Sequence, residues 1–407
     1  MKNEFESVSA NESNPKWNEI IKREKELYRA KTDIRPAFER DYTRILHSNA
    51  YRRLKHKTQV FFSPGNDHIC TRIEHVNYVE SISYTIARHL GLNTDLTRAI
   101  SIGHDVGHSP FGHKGEKILS EISKRDIGKT FWHEKNGLYM LDNIELLEDY
   151  EGNKQNLDLT YAVRDGVISH CGEINENAII PRNEAIDLEQ YEYPNQYEPY
   201  TWEGCVVKIA DKISYIGRDI EDGIELGFID KDLKDLYSQI GKKINNGSII
   251  NELVSNICKN SSVEEGLKFS DEYLDLMNKI KAYNYKNIYC AKRMEPSNKY
   301  FELVINQIYD ILKDNYNNLD SVYFYYPKLI TSFKEWINNY IEDGNRLTMK
   351  NKIVFDIRNK QDYYKAIITY ISGMTDKFAI EMYNEIINFW SIFYHEKQLK
   401  RNALDNF

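Results

Sequence analysis

Residues 104–116, HDVGHSPFGHKGE, bring three histidines and two carboxylates into thirteen positions of a chain that has eleven histidines in all. Imidazoles and carboxylates bind divalent ions, and both can move protons. His104 and Asp105 are adjacent at a helix end, a workable ligand pair for Mn, Fe, Mg or Zn. Two ligands do not make a site, and two further candidates lie on helices. His75, in RIEHVNYVESISYTIARHL (72–90), falls on the side of Val79 and Ile82 and so points inward. Asp211, in KIADKISY, belongs to an apolar face with Ile209, Ile213 and Ile216. An inward acid is costly unless it is paired or metal-bound. A lone inward histidine is more often a satisfied core residue. Together, however, His75, His104, Asp105 and Asp211 make a candidate metal cage.

The elements that must hold these residues are helical. In 72–90, Ile73, Val76, Val79, Ile82 and Ile86 recur at steps of three and four, and Gly91 supplies a C-cap. A second helix is expected from Asn93 or Thr94 to about Asp105, stopped by Gly107, Ser109 and Pro110. A third begins near Gly115, so His113 and Glu116, three apart at its start, can hydrogen-bond as an orienting pair. Helical patterns also cover 158–171, CVVKIADKISYIGRDIEDGIEL (205–226), 300–312 and 364–390. Another starts at Trp17, with Ile20, Ile21 and Leu27 on one face. Pro181, Pro194 and Pro199 mark 181–203 as a long loop. Strand-like alternation is scarce, and the expected fold is all-α. GKKINNG (241–247) is a candidate boundary. The expected organisation is a disordered lead over 1–16, a core over 17–240 and a helical region over 241–407 that packs on it.

Composition bounds the function. The chain has 407 residues, 41% hydrophobic and 29% charged, which reads as globular. A net charge of −8 argues against a generally basic nucleic-acid coat. The local run 39–60, with Arg40, Arg44, Arg52, Arg53, Lys55 and Lys57, leaves room for a cationic groove. Five cysteines without CxxC spacing fit reduced thiols rather than a disulfide framework. Thirty tyrosines suit a core whose residues keep a polar tip. The first seventeen residues lack the apolar stretch of a signal peptide, and no apolar run nears the roughly 20 residues of a membrane span. The expectation is a cytoplasmic protein without membrane contact.

The order His…His-Asp…Asp is the pattern of HD-domain metal-dependent phosphohydrolases. RILHSNAYRRLKHKTQVF, TRIEHV, GHDVGHSPFGHKGE, EGCVVKIADKISYIGRDIEDGI and YISGMTDKFA together resemble the deoxyguanosinetriphosphate triphosphohydrolase-like family of HD-domain proteins. The matches run in family order from about 35 to 380 and are weak over 225–360. The resemblance implies an HD-domain helical core with additional C-terminal helices. It also implies hydrolysis of deoxynucleoside triphosphates, dGTP foremost, to deoxynucleoside and tripolyphosphate. The family's metal ligands fall on the four residues already reached, His75, His104, Asp105 and Asp211, with Mn, Mg, Fe, Co and Ni as candidate ions.

Further roles come from that resemblance. His113 and Glu116 are implied as the acid–base unit. His108 is placed to steer a second ion or the phosphate, and His133 aligns with a histidine used at the phosphates in some relatives. For these two, a plain loop or cap role stands beside the functional one. Arg72, one turn before His75, and Lys208, just short of a turn before Asp211, are candidates for the phosphates. Arg53 and its neighbours Arg52 and Lys55 are too, although a charge run is usually a solvated face. Gln59 matches a position that reads the nucleoside. Tyr215 and Asp219 lie four and eight residues after Asp211 on one helix face, and would pack on the deoxyribose and bind its 3′ hydroxyl. The resemblance also implies a homo-oligomer, with hexamers among relatives, and in some relatives dNTP effectors or single-stranded DNA. The rival activities are another HD phosphomonoesterase or phosphodiesterase, and a silent nucleotide- or DNA-binding regulator.

Overall fold

The computed structural model describes residues 4–25, 33–62, 65–172, 177–241, 243, 245–344 and 346–388. It is all-α apart from one antiparallel pair, β1 (Leu146–Glu148) and β2 (Lys154–Asn156). After a single turn α1 (Trp17–Ile20) come α2 (Ala37–His47), α3 (Asn49–Arg53), α4 (Arg72–Leu90) and α5 (Thr94–Gly103). Then follow α6 (Gly112–Ile127), α7 (His133–Tyr139), α8 (Tyr161–Ser169) and α9 (Trp202–Glu225). The chain continues through α10 (Lys234–Ile240), α11 (Asn246–Asn260), α12 (Asp271–Asn284), α13 (Glu295–Asp314), α14 (Leu319–Val322), α15 (Pro327–Ile337) and α16 (Lys360–Ser372), and α17 spans 376–388. None of the described helices is long and apolar enough to cross a membrane.

The central helices form where their caps and apolar spacing require. Thr71 and Glu74 close a capping box at the start of α4, and Gly91, in the left-handed conformation, ends it. Its buried stripe of His75, Val76, Val79, Ile82 and Ile86 packs on α5 and α9. Thr201 caps α9 by accepting from the Gly204 amide, and Val206, Val207, Ala210, Ile213 and Ile216 on that helix are fully buried. Each such aliphatic side chain contributes roughly 1.5–3 kcal/mol on leaving water.

Two hydrophobic cores emerge. The first gathers α4, α5, α8 and α9 with α11 and α12, from Phe5 to Ile288. The second joins α6 (Phe111 beside it, then Ile118, Leu119, Ile122) to α13, α15, α16 and α17, as far as Ile386. The boundary expected at 241–247 therefore does not divide the cores. Ile249, Leu253 and Ile257 recur every fourth residue on α11 and are fully buried, so this helix packs back on α9 and α4.

Other expectations are also corrected. The lead is ordered from Glu4: Phe5 is buried edge-to-face on Trp202 at 5.1 Å, and the Ala10 amide donates to Glu203 Oε1 at 2.9 Å. The helix from Trp17 is one turn, and Leu27 lies outside the described residues. The basic run breaks at Ser48, whose hydroxyl caps α3. The single helix expected over 364–390 is split between α16 and α17. There Thr375 Oγ1 accepts from the Phe378 amide, and Asp376 turns its carboxylate inward. The 181–203 stretch is a loop with one short turn, Leu188–Gln190, as far as Trp202, where α9 begins, yet it buries Tyr191 completely.

Candidate metal centre and acid–base loop

The sequence puts its candidate ligands at places where the backbone is held by helices. His104 is the C-cap of α5 and is fully buried. Its Nδ1 lies 2.6 Å from the Ser101 carbonyl, which can only accept, so Nδ1 carries the proton and the Nε2 lone pair faces inward. Nε2 has no hydrogen-bond partner among the described residues. His75 comes from α4, with Nδ1 against Ser214 Oγ at 3.2 Å and Nε2 3.0 Å from Asp211 Oδ1. Asp105 presents Oδ1 at 3.6 Å from His104 Nε2 and Oδ2 at 3.6 Å from His75 Nε2. His75, His104 and Asp211 offer ligand atoms within 4.8 Å of one another. An unpartnered imidazole nitrogen buried beside two carboxylates fits a divalent cation and leaves a costly defect without one.

The electrostatics agree. Burial alone would raise the carboxyls, but His108, His104 and Arg72 hold Asp105 well below the usual carboxylate range. Against the same burial, the hydrogen bond and charge of His75 bring Asp211 down to about 2. Burial lowers His104 despite its acidic neighbours. His75 is raised, because Asp211 and Asp105 outweigh its burial. Both acids are thus anionic and His104 neutral, the states a cation needs, whereas His75 has to give up its proton when one binds.

The loop after Asp105 is shaped by close backbone approach. A Cβ on Gly107 would meet the His133 carbonyl oxygen at 2.1 Å and the Gly137 nitrogen at 2.2 Å, so only glycine lets α7 come this near. That approach stacks the rings of His108 and His133 at 3.8 Å. His108 Nε2 lies 3.0 Å from Asp105 Oδ1, so His108 joins the cage wall, and burial holds it neutral. Phe111, at φ 64°, turns the chain into α6.

The expected pair of His113 and Glu116 is only loosely joined. His113 Nδ1 is 3.6 Å from Glu116 Oε2, and its side chain is 75% exposed. Glu116 instead accepts from the His133 amide at 3.1 Å and meets His133 Nδ1 at 3.1 Å. His133 is raised well above its ordinary value: burial opposes the shift, but Glu134, Cys171 and Glu116 prevail. Burial opposes the lowering of Glu116, which His133 and His113 produce.

The expected substrate cations each pair with groups of the chain itself. Arg72 is buried, with Nη1 2.6 Å from Asp105 Oδ2 and Nη2 donating to the Gln59 carbonyl at 3.2 Å. Lys208 Nζ donates to Asn195 Oδ1 at 2.6 Å and Glu198 Oε2 at 2.9 Å. Arg53 pairs with Glu145 at 2.8 Å and lines a separate cavity of about 350 Å³ between Met140, Trp336 and Phe378. The Gln59 side-chain oxygen is buried without a hydrogen-bond partner among the described residues. Tyr215 is half-buried on α9, and Asp219, two turns beyond Asp211, is fully buried.

Three residues escaped the sequence reading, and a fourth, Lys57, was read only as part of a basic run. His170, at the end of α8, has Nε2 3.9 Å from Asp105 Oδ1. The Tyr289 hydroxyl donates to Asp219. Lys57 Nζ donates to both the His108 and Ser372 carbonyls. Asp376 accepts from the Thr58 and Phe111 amides, each at 2.8 Å. Lys57 and Asp376 lie in the quoted segments HKTQVF and GMTDKF, which was the available signal; for His170 it was the adjacent pair His-Cys in ISHCGE.

This all-helical bundle with a His, His-Asp, Asp cage is an HD domain, and the HD domain family model matches residues 72–216. Among curated proteins, a deoxyguanosinetriphosphate triphosphohydrolase-like protein of Caldanaerobacter subterraneus subsp. tengcongensis is 33% identical over 358 residues, 88% of this chain and 86% of that one. One of Rickettsia bellii is 32% identical over 90% of this chain and 96% of its own length. Another, of Desulfatibacillum aliphaticivorans, is 31% identical over 87% and 88%. The chain belongs to the deoxyguanosinetriphosphate triphosphohydrolase-like family. That membership supports a metal-dependent HD nucleotide hydrolase.

Proposed function

We propose that this protein hydrolyses deoxynucleoside triphosphates, dGTP foremost, to the deoxynucleoside and tripolyphosphate. The observation that carries this reading is the single helix α9, on which Asp211, Tyr215 and Asp219 follow at steps of four. A nucleotide whose phosphate meets the cage then lays its sugar along Tyr215 toward Asp219. The names of the relatives support the same substrate.

A divalent ion held by His75, His104, Asp105 and Asp211 supplies Lewis-acid polarisation of the attacked phosphoryl group. The chain's own residues do the rest. His108 and Arg72 fix the Asp105 carboxylate from both oxygens. Glu116 is the carboxylate placed to take a proton from water, with His133 holding it in position, and His113, at the exposed rim, can donate one to the departing 5′ oxygen. Tyr215 packs against the sugar and leaves no room for a 2′ hydroxyl, while Asp219 accepts the 3′ hydroxyl.

The test is product chromatography with each dNTP and GTP, in Mn or Mg, with each other dNTP added in turn as effector. Deoxynucleoside and tripolyphosphate are expected, GTP is expected to be refused, and Asp105→Ala should lose ~100-fold or more, since even outer partners of metal ligands cost 10–100-fold. Monophosphate or free phosphate as product would move the protein to another HD activity. Absence of turnover under every condition would favour the silent regulator.

A further inference from the structure

We propose that His133, His170 and Cys171 form a second divalent-cation site, with two imidazole nitrogens and one thiolate as ligands, beside the cage of His75, His104, Asp105 and Asp211. The ligating atoms of the three residues lie within 4.8 Å of one another. His170 carries the argument. Its Nδ1 is 2.7 Å from the Val167 carbonyl, so that nitrogen holds the proton and Nε2 presents a lone pair. The residue is fully buried, and Nε2 has no hydrogen-bond partner among the described residues. This repeats the arrangement of His104, whose Nδ1 donates to the Ser101 carbonyl and whose Nε2 is likewise unpartnered. A core that merely tolerated His170 would have paired that nitrogen.

His133 is prepared in the same sense by different neighbours. Glu116 at 3.1 Å and Glu134 at 3.3 Å both face Nδ1, which fixes the proton there, and Nε2 is turned to Cys171 Sγ at 3.3 Å. Carboxylates behind an imidazole orient it and strengthen it as a ligand. The set of two nitrogens and a sulfur is softer than the nitrogen–oxygen cage next door. It selects a borderline ion such as zinc, in a tetrahedral shell completed by water. On binding, the Cys171 Sγ–H proton leaves to solvent and the sulfur binds as thiolate. The two sites abut, since His170 Nε2 is also 3.9 Å from Asp105 Oδ1.

The site does not depend on the reaction proposed above, and it is tested without turnover. The full-length protein is stripped with a chelator and titrated with Co²⁺ by absorption spectroscopy and calorimetry. The wild type should take two equivalents, one of which raises a near-ultraviolet thiolate-to-cobalt band. Cys171→Ser should lose the band and weaken that equivalent about ten-fold or more, with its circular dichroism unchanged. His170→Gln should do the same. Asp211→Ala should keep the band and lose the other equivalent. A wild type that saturates with Co²⁺ without the band, or a Cys171→Ser protein that retains it, overturns the proposal.

Discussion

His104 and Asp105 hang from the first core, at the end of an α5 whose Leu96, Ala99 and Ile100 are fully buried against α2, α4, α8 and α9. Glu116, one loop later, rides on α6, which turns Ile118, Leu119 and Ile122 into the second core with α13 and α16. The groups proposed to grip a cation are thus held by the first interior, whereas Glu116 is held by the second and its partner His133 stands on α7, whose Leu138 packs in the first. A core fixes what packs in it but says little about a neighbour, so the relative placement of the two sets rests on the contacts that cross between them. Lys57 and Asp376 make those contacts, tying His108, Phe111 and Thr58 to the α16–α17 junction.

The sharpest break in the comparison comes from one variant on each side. Asp211→Ala removes a proposed ligand that rests on the first core, and should empty the cage and reduce turnover by ~100-fold or more. Metal analysis of the purified protein, read beside its rate, checks this. Glu116→Gln, on the second core, should keep the cage metal and lower kcat by ~10²–10⁴-fold, the range of general acid–base catalysis. Loss of cage metal from Glu116→Gln would mean that the two sets are not separately held.

The same contrast explains what could be read in the sequence. His75 and Asp211 stand in uninterrupted helical stripes, where the identity of every third or fourth neighbour states which way a side chain points. His104 and Asp105 follow from α5 and its stop signals. The partnership of Glu116 with His133 was not legible, because it spans a loop and a new helix whose approach depends on Gly107 and Gly137. Asp376 lies 318 positions from Thr58, and no local pattern records such a contact. The pairing of Arg53 was not legible for a related reason: a charge run states the charge of a segment, not which residue turns to Glu145. The boundary at 241–247 was drawn at glycine and asparagine, but α11 carries its own apolar stripe back to the first core.

A milder effect is expected where the cores are tied. Asp376 is buried and accepts two backbone amides, one from Thr58 and one from Phe111. Asp376→Asn replaces one acceptor oxygen with an NH₂ group and leaves one amide facing a donor, at a cost of about 1–3 kcal/mol. The melting temperature should fall, the metal should stay bound, and kcat should drop several-fold. A lower melting temperature with unchanged kcat would show that the tie holds the fold but does not set the distance between cage and loop.

The smallest effect concerns the far end of α9, where Asp219 accepts the Tyr289 hydroxyl from the turn after α12. Burial pushes this carboxyl up to about 7, and the hydrogen bond from Tyr289 only partly offsets it. The unfolded chain gives up the same proton near the ordinary value of about 4. Between those values the native state binds more protons than the unfolded state, so the contribution of Asp219 to stability falls as pH rises through that window. Below it, both states are protonated and the contribution is fully present. An amide in place of this carboxyl cannot titrate, so the melting temperature of Asp219→Asn should gain on the wild type from about pH 4 to about pH 7 and then level off. A constant difference across the window would mean that Asp219 is solvated in the native state. It would then meet a sugar hydroxyl as an ordinary exposed carboxylate, without the desolvated contact that makes a missing hydroxyl costly.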